Sequence, residues 1–201
     1  MSAIMRIVLA GGRSSRMGTD KAKLAAGNSR LIDKAVCKLL PLCDAGVWTG
    51  GRDYGYSWIS DLEGIHGPMA AIVKLNEFLD KEIFAFFIIP VDMPFFGQSD
   101  FRLLCDCLLK DPAQEASCFE QSHFPLLLRN TKRLAYVIEE WKKSRIDDSV
   151  HSFLARLKLA RIQSKASDAE AFVNLNYPEE YGRYATQLDI SSNSHRKRDH
   201  K

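Results

Sequence analysis

An uninterrupted apolar run, Phe84–Val91, constrains the fold of this chain more than any other segment. Eight consecutive apolar residues predict a β-strand that is buried on both faces. Such a strand is typical of a parallel sheet covered by helices, because a strand with one face in water alternates apolar and polar residues. The run is also far too short to span a membrane. We therefore expect an α/β protein without a transmembrane segment.

The segments before this run alternate between strand and helix patterns. Met5–Ala10 and Ala45–Thr49 predict strands, and each is followed by a glycine pair. Leu31–Leu40 carries apolar residues at helical spacing, and Gly67-Pro68 predicts the start of another helix, because proline is favoured at the first helical position. This alternation predicts a mostly parallel, doubly wound sheet with right-handed crossovers.

The second half of the chain predicts two further strands and four helices. They are the strands Ala116–Glu120 and Pro125–Leu128, the helices Leu103–Leu109, Thr131–Lys143 and Val150–Leu157, and a helix that begins at Pro178. No repeat or internal linker divides the chain, and its 201 residues suit one domain, over residues 1–190. Residues 191–201 contain no apolar side chain, which predicts a basic, disordered tail.

Charge and cysteine content exclude several classes of function. The formal net charge is +3, and the tail accounts for all of it, so the body of the chain carries no broad nucleic-acid surface. The five cysteines are odd in number and lack metal-ligand spacing, and no signal-peptide pattern precedes them. These features predict reduced, buried thiols in a cytoplasmic protein that binds neither nucleic acid nor membrane.

A glycine-rich, basic loop follows the first predicted strand, with the sequence LAGGRSSRMGTDK over residues 9–21. Glycines let backbone N–H groups approach a phosphate, and Arg16 and Lys21 add positive charge. The spacing matches neither the Walker loop nor the dinucleotide-binding fingerprint. From the residues alone, a polyphosphate-binding loop and a surface turn with two solvated cations are both open.

An acidic residue, Asp92, follows the apolar run and lies between Pro90 and Pro94. A carboxylate at the end of a buried strand costs desolvation energy unless something pairs with it. It is a candidate Mg²⁺ ligand, or else it caps a turn or the next helix. Because ligands of open α/β sheets bind beyond the carboxyl ends of the strands, Asp92 and the glycine-rich loop are predicted at one functional edge.

Together, these motifs resemble a known family. The pattern LAGG-x-S-x-RMG-x-DK resembles the signature loop of nucleotidyltransferases that activate sugars and cofactors, and its ending is most similar to the molybdenum cofactor guanylyltransferases. Four later stretches agree in order: Gly67-Pro68, Pro90–Pro94, Phe124-Pro125 and Phe172–Glu180. The resemblance implies a Rossmann-like three-layer α/β/α sandwich of the nucleotide-diphospho-sugar transferase type.

The resemblance also implies an activity and a set of site residues. The implied enzyme transfers GMP from GTP to molybdopterin, releases pyrophosphate, uses Mg²⁺, and has molybdoenzymes or cofactor-handling proteins as candidate partners. The implied nucleotide-binding residues are Leu9, Ala10, Gly11, Gly12, Lys21, Thr49, Asp61 and Asp92. Arg16, Lys21 and Asp92 would be catalytic, with Asp92 as the metal ligand. Asn174 and Asn176 would bind the acceptor.

The chain also departs from the family pattern. Arg30 stands where the family usually has proline, Thr49 where it has asparagine, and Ala71 where it has glycine. Two alternatives therefore stay open: a related cytidylyltransferase that acts on molybdopterin or a sugar phosphate, and a non-catalytic nucleotide-binding regulator. The presence of both Lys21 and Asp92 favours an enzyme over a regulator, because simple binding does not require both.

Overall fold

A computed structural model describes residues 3–10, 20–39, 46–60, 62–65, 67–79, 82–144, 149–164, 171–175 and 180–184. The strands in these ranges are β1 Ala3–Leu9, β2 Ala25–Ala26, β3 Ser29–Arg30, β4 Val47–Gly51, β5 Trp58–Ser60, β6 Ile83–Pro90, β7 Ala116–Phe119, β8 Ser122–Arg129 and β9 Leu159–Ile162. The helices are α1 Leu31–Leu39, α2 Pro68–Lys74, α3 Gln98–Lys110, α4 Lys132–Ser144 and α5 Val150–Leu154. Residues 180–184 are also helical, and short 3₁₀ turns cover Lys21–Lys23 and Leu75–Phe78.

Seven of these strands form one sheet in the order β5-β4-β1-β6-β8-β7-β9. Neighbouring strands are parallel except at β8, which runs antiparallel to both β6 and β7. After β1 the chain builds β4 and β5 on one side and then crosses to β6 on the other side of β1. The predicted mostly parallel, doubly wound sheet is therefore confirmed, with its topological switch point between β1 and β6.

Helices cover both faces of the sheet, as the apolar run predicts. Alternate β6 residues contribute to two cores: Phe86 and Ile88 pack with side chains of α2, α4 and α5, whereas Phe87 and Ile89 pack with side chains of α1 and α3. Full burial of a side chain such as Phe86 contributes roughly 1.5–3 kcal/mol to folding. A polar residue on either face of β6 would lose this contribution, which explains why the segment does not alternate.

Two helix starts follow from local hydrogen bonds. The Thr131 hydroxyl accepts the Leu134 N–H at 3.1 Å, which caps α4 where the sequence predicts its start. The Ser149 hydroxyl caps α5 by accepting the Ser152 N–H at 3.1 Å. Helix α5 ends at Leu154 rather than at the predicted Leu157, because the chain turns there to enter β9.

The structure also bears on the predictions for membrane segments, cysteine thiols and the C-terminal residues. None of the described helices is long and apolar enough to cross a membrane. The four cysteines in the described ranges are free thiols, and among them only Cys118 is buried as expected. Cys105 and Cys107 are half-buried on α3, and the expectation of burial is wrong for Cys37, which is exposed on α1. Burial raises the pKa of the Cys105 thiol to about 11, which keeps it protonated. Pro178 and the tail 191–201 lie outside the described residues.

Candidate active site at the switch point of the sheet

The carboxyl ends of β1, β4 and β6 lie side by side. The Val91 N–H donates to the Leu9 carbonyl at 3.0 Å, and the Ala10 N–H donates to the Gly50 carbonyl at 3.0 Å. These hydrogen bonds extend the pairing beyond β1, so the chain leaves the sheet at fixed positions before the glycine-rich loop and before Asp92. The site therefore forms where an open α/β sheet binds its ligands.

An ion pair joins the two residues that the sequence singles out at this edge. The Lys21 Nζ atom lies 2.8 Å from Asp92 Oδ2, although the residues are 71 apart in sequence. Each side chain retains 17% of its exposure, so the pair is shielded but open to a ligand. When a ligand separates the two groups, the Asp92 carboxylate can bind a metal cation. The Lys21 ammonium can then bind a phosphate.

A buried tyrosine that the sequence does not predict joins both ends of the glycine-rich loop. The Tyr54 side chain is 5% exposed, and its hydroxyl lies 3.0 Å from Asp20 Oδ2 and 3.1 Å from the Ala10 carbonyl oxygen. The Asp20 carboxylate accepts the Ala22 N–H at 3.1 Å, which caps the 3₁₀ turn that presents Lys21. Tyr54 therefore fixes the strand end at Ala10 and the Lys21 turn relative to each other.

A second hydrogen-bonded group holds the Tyr54 segment against the start of α1. The Arg30 guanidinium contacts the Asp33 carboxylate at 2.7 Å and donates to the Tyr54 carbonyl at 3.0 Å. The Tyr56 hydroxyl donates to the same carboxylate at 2.8 Å. The Arg30 hydrogen bonds lower the pKa of Asp33 to about 2, while burial first, and the Asp33 contact second, raise the pKa of Tyr56 to about 12. Arg30, one of the departures from the family pattern, thus supports the site indirectly.

The other two departures are accommodated inside the protein. Thr49 is fully buried, and its hydroxyl donates to the Arg52 carbonyl at 3.3 Å, so it shapes the turn after β4. Ala71 is 5% exposed, and its methyl group lies 3.5 Å from the position that a Cβ on Gly50 would take. The extra methyl group relative to glycine therefore packs between α2 and β4 rather than projecting into the site.

The stretch predicted to bind the acceptor lies beside Asp92. The Leu175 N–H donates to the Asp92 carbonyl at 2.9 Å, and Leu175 itself is fully buried. Asn174, which is half-buried, directly precedes Leu175 in the chain. It therefore lies near the Lys21–Asp92 ion pair. The remaining predicted site residues, Gly11, Gly12, Arg16, Asp61 and Asn176, lie outside the described residues, and their roles stay predictions.

The donor set at this edge fits a magnesium ion that is shared with a substrate. Within the described ranges, no group of three or more His, Cys, Asp or Glu side chains could hold a metal by itself. Mg²⁺ needs no such group, because it takes one or two carboxylates, phosphate oxygens and water. Asp92 supplies a carboxylate of this kind next to a cation suited to phosphate.

Comparison with known proteins agrees with this geometry. The family model of the MobA-like NTP transferase domain matches residues 6–162. The molybdenum cofactor guanylyltransferase of Xanthomonas euvesicatoria is 29% identical over 181 residues, covering 88% of this chain and 92% of the relative. The molybdenum cofactor guanylyltransferase of Sinorhizobium fredii is 27% identical over 190 residues, covering 87% of each chain.

Solved structures extend the likeness to the fold. Molybdopterin-guanine dinucleotide biosynthesis protein A from Archaeoglobus fulgidus superposes with a TM-score of 0.70 at 18% identity, covering 94% of this chain and 99% of that one. The 2-C-methyl-D-erythritol 4-phosphate cytidylyltransferase from Thermus thermophilus superposes with a TM-score of 0.64 at 14% identity, covering 96% and 100%. The second is a cytidylyltransferase by name, and at these identities the two structures establish the Rossmann-like fold alone.

Proposed function

This chain belongs to the MobA-like NTP transferase family, and we propose that it transfers GMP from GTP to molybdopterin and releases pyrophosphate. The observation that carries the proposal is the Lys21–Asp92 ion pair at the switch point of the sheet. The curated relatives are named molybdenum cofactor guanylyltransferases, and the similarity covers most of their length. They support the choice of base and acceptor. We place the reaction in the cytoplasm, with molybdoenzymes or cofactor-handling proteins receiving the product.

The proposed chemistry demands little from the side chains beyond positioning and charge. The terminal phosphate of the pterin attacks the α-phosphorus of GTP, a new P–O bond forms, and the bond to pyrophosphate breaks. A phosphate monoester is already an oxyanion at neutral pH, so no strong general base is required. Catalysis then comes from orienting the two phosphates and stabilising the charge that moves onto the leaving group.

Lys21 and Asp92 divide this work between them. When the nucleotide binds, Lys21 exchanges the carboxylate of Asp92 for phosphate oxygens and stabilises the departing pyrophosphate. Asp92 would then be free to hold Mg²⁺, which would supply positive charge to neutralise the phosphates. Tyr54 keeps the Lys21 turn in place during this exchange, because its hydroxyl contacts the Asp20 carboxylate that caps the turn. Main-chain N–H groups of Gly11 and Gly12, together with Arg16, would complete the phosphate contacts.

A nucleotide panel tests the proposal. We expect GTP with Mg²⁺ to raise the melting temperature more than ATP, CTP or UTP, because a site that hydrogen-bonds one base edge leaves polar groups unpaired with another base. We also expect pyrophosphate release from GTP only when molybdopterin is present, and loss of both effects when the metal is chelated. A larger shift with CTP would replace the proposal with the cytidylyltransferase alternative. Nucleotide binding without any pyrophosphate release would favour the non-catalytic regulator.

A further inference from the structure

A cluster of three basic side chains lies outside the ion-pair site. His123 on β8 lies close to both His151 on α5 and Arg161 on β9. The His123 Nε2 atom is 3.4 Å from His151 Nδ1 and 3.4 Å from Arg161 Nη2. The two imidazole rings meet edge to face, with centroids 5.5 Å apart. His151 and Arg161 are exposed and His123 is half-buried, so a ligand can reach all three.

The strand directions bring this basic cluster to the same edge of the sheet as Asp92. Because β8 is antiparallel to β6 and pairs Leu126 with Ile88, its first residues run beside the end of β6. Strand β9 is parallel to β7 and ends at Ile162, opposite Phe119. His123 on β8 and Arg161 on β9 are therefore one and three strand intervals from the line of β6, or about 5 and about 14 Å across the sheet.

The cluster has an excess of positive charge. Within the described ranges, no acidic side chain forms an ion pair with His123, His151 or Arg161, and the other polar contact of Arg161 is with the Cys118 Sγ atom at 3.9 Å. Burial first, and then the nearby Arg161 and His151, lower the pKa of His123. An anion bound among the three would favour the protonated form of His123 and could then accept a hydrogen bond from each side chain. A metal cation is disfavoured, because the Arg161 guanidinium lies beside the His123 nitrogen that would bind it.

We propose that His123, His151 and Arg161 form an oxyanion-binding subsite for the acceptor substrate, holding an anionic group other than the phosphate that reacts. This inference rests on the proposed function, because an acceptor exists only if the chain is a transferase. In this arrangement, the Lys21–Asp92 pair takes the nucleotide phosphates, and the basic cluster fixes the other end of the acceptor.

Binding is tested directly by NMR on the full chain with isotope-labelled histidines, using inorganic phosphate as the probe. The chain has five histidines, so His66, His195 and His200 are internal controls. We expect the His123 and His151 imidazole signals, assigned from His→Gln variants, to shift together and saturably with phosphate but not with chloride at equal ionic strength. We expect Arg161→Gln to abolish the shift. Equal shifts of all five histidines, or equal shifts in chloride, would overturn the subsite.

Steady-state kinetics then tests whether the anion belongs to the acceptor. Loss of a charge-assisted hydrogen bond in Arg161→Gln is expected to raise KM for the acceptor by roughly tenfold, with a much smaller change in KM for GTP. The matched control is Arg102→Gln, which removes an exposed arginine from α3. Unchanged acceptor KM in an active Arg161→Gln variant would contradict the subsite alone. Wild-type chain that binds phosphate at the cluster but releases no pyrophosphate would contradict the proposed function and, with it, the acceptor assignment.

Discussion

Replacing Tyr54 by phenylalanine removes one hydroxyl from the structure that supports Lys21. That hydroxyl lies 3.0 Å from a carboxylate oxygen of Asp20 and 3.1 Å from the Ala10 carbonyl oxygen. The ring of phenylalanine fills the same buried space, so the core packing around it is retained. The expected result is a protein that folds normally but holds the Lys21 turn less firmly relative to β1.

The size of the effect follows from the kind of hydrogen bond that is lost. A hydrogen bond to a charged group contributes about 1.5–3 kcal/mol, and Asp20 keeps its bond to the Ala22 N–H in the variant, so we expect a loss of about 1–2 kcal/mol. For a domain of this size, that corresponds to a fall in Tm of about 2–8 °C. If the same energy also orients Lys21 in the transition state, kcat/KM for GTP falls by roughly tenfold.

The assay is steady-state pyrophosphate release, measured well below the lower Tm so that loss of stability does not reduce the folded fraction. The control is Tyr136→Phe, because Tyr136 is 55% exposed on α4 and is remote from the loop. We expect the control to match wild type in both Tm and kcat/KM. A Tyr54→Phe variant with wild-type kcat/KM would refute the idea that this tyrosine positions Lys21, even if its Tm were lowered.

Three further predictions concern the charged groups of the site. Asp92→Asn should lower the rate of GMP transfer, measured by pyrophosphate release, by at least ~10²-fold. Circular dichroism should show that the variant is still folded. An active variant with unchanged Mg²⁺ dependence would contradict metal binding by Asp92. Lys21→Ala should lower kcat more than it raises KM for GTP, whereas a pure KM effect would limit Lys21 to ground-state binding. Because the pKa of Asp33 is lowered from 3.8 to about 2, its stabilising effect is present above pH 3.8 and disappears as the pH falls towards 2. Asp33→Asn should therefore lower the urea midpoint at pH 7, and this deficit should shrink across that acid range; a constant deficit would refute the ion-pair explanation.

Much of the fold could be predicted because a few segments carry strong, unambiguous patterns. The apolar run that became β6 required a sheet covered on both faces, and Thr131 marked the start of α4. The two edge strands β5 and β9 were not predicted. They have three and four residues, and their partly exposed side chains show too little periodicity to stand out from loops.

The candidate site divides in the same way. Lys21 and Asp92 could be expected near each other, because both follow strands whose carboxyl ends share one edge. Tyr54 could not, since its role depends on a side chain that reaches 34 residues back in the chain, and no local pattern encodes such a contact. The sequence marks Arg30 only as a departure from the family pattern. Its hydrogen bonds to Asp33 and to the Tyr54 carbonyl could not be predicted, because they depend on the folded arrangement of the chain.

The reversed direction of β8 has a consequence for how this scaffold can be redesigned. Two parallel neighbouring strands are joined by a long crossover, whereas two antiparallel strands can be joined by a short turn. The antiparallel strands β7 and β8 are joined at the functional edge by a tight turn at Glu120 and Gln121. The sheet does not limit the length of such a turn, because residues inserted there extend outwards from the edge. If the chain is the proposed transferase, we expect insertions in the β7–β8 turn to change acceptor preference without altering the segment from β1 to Asp92.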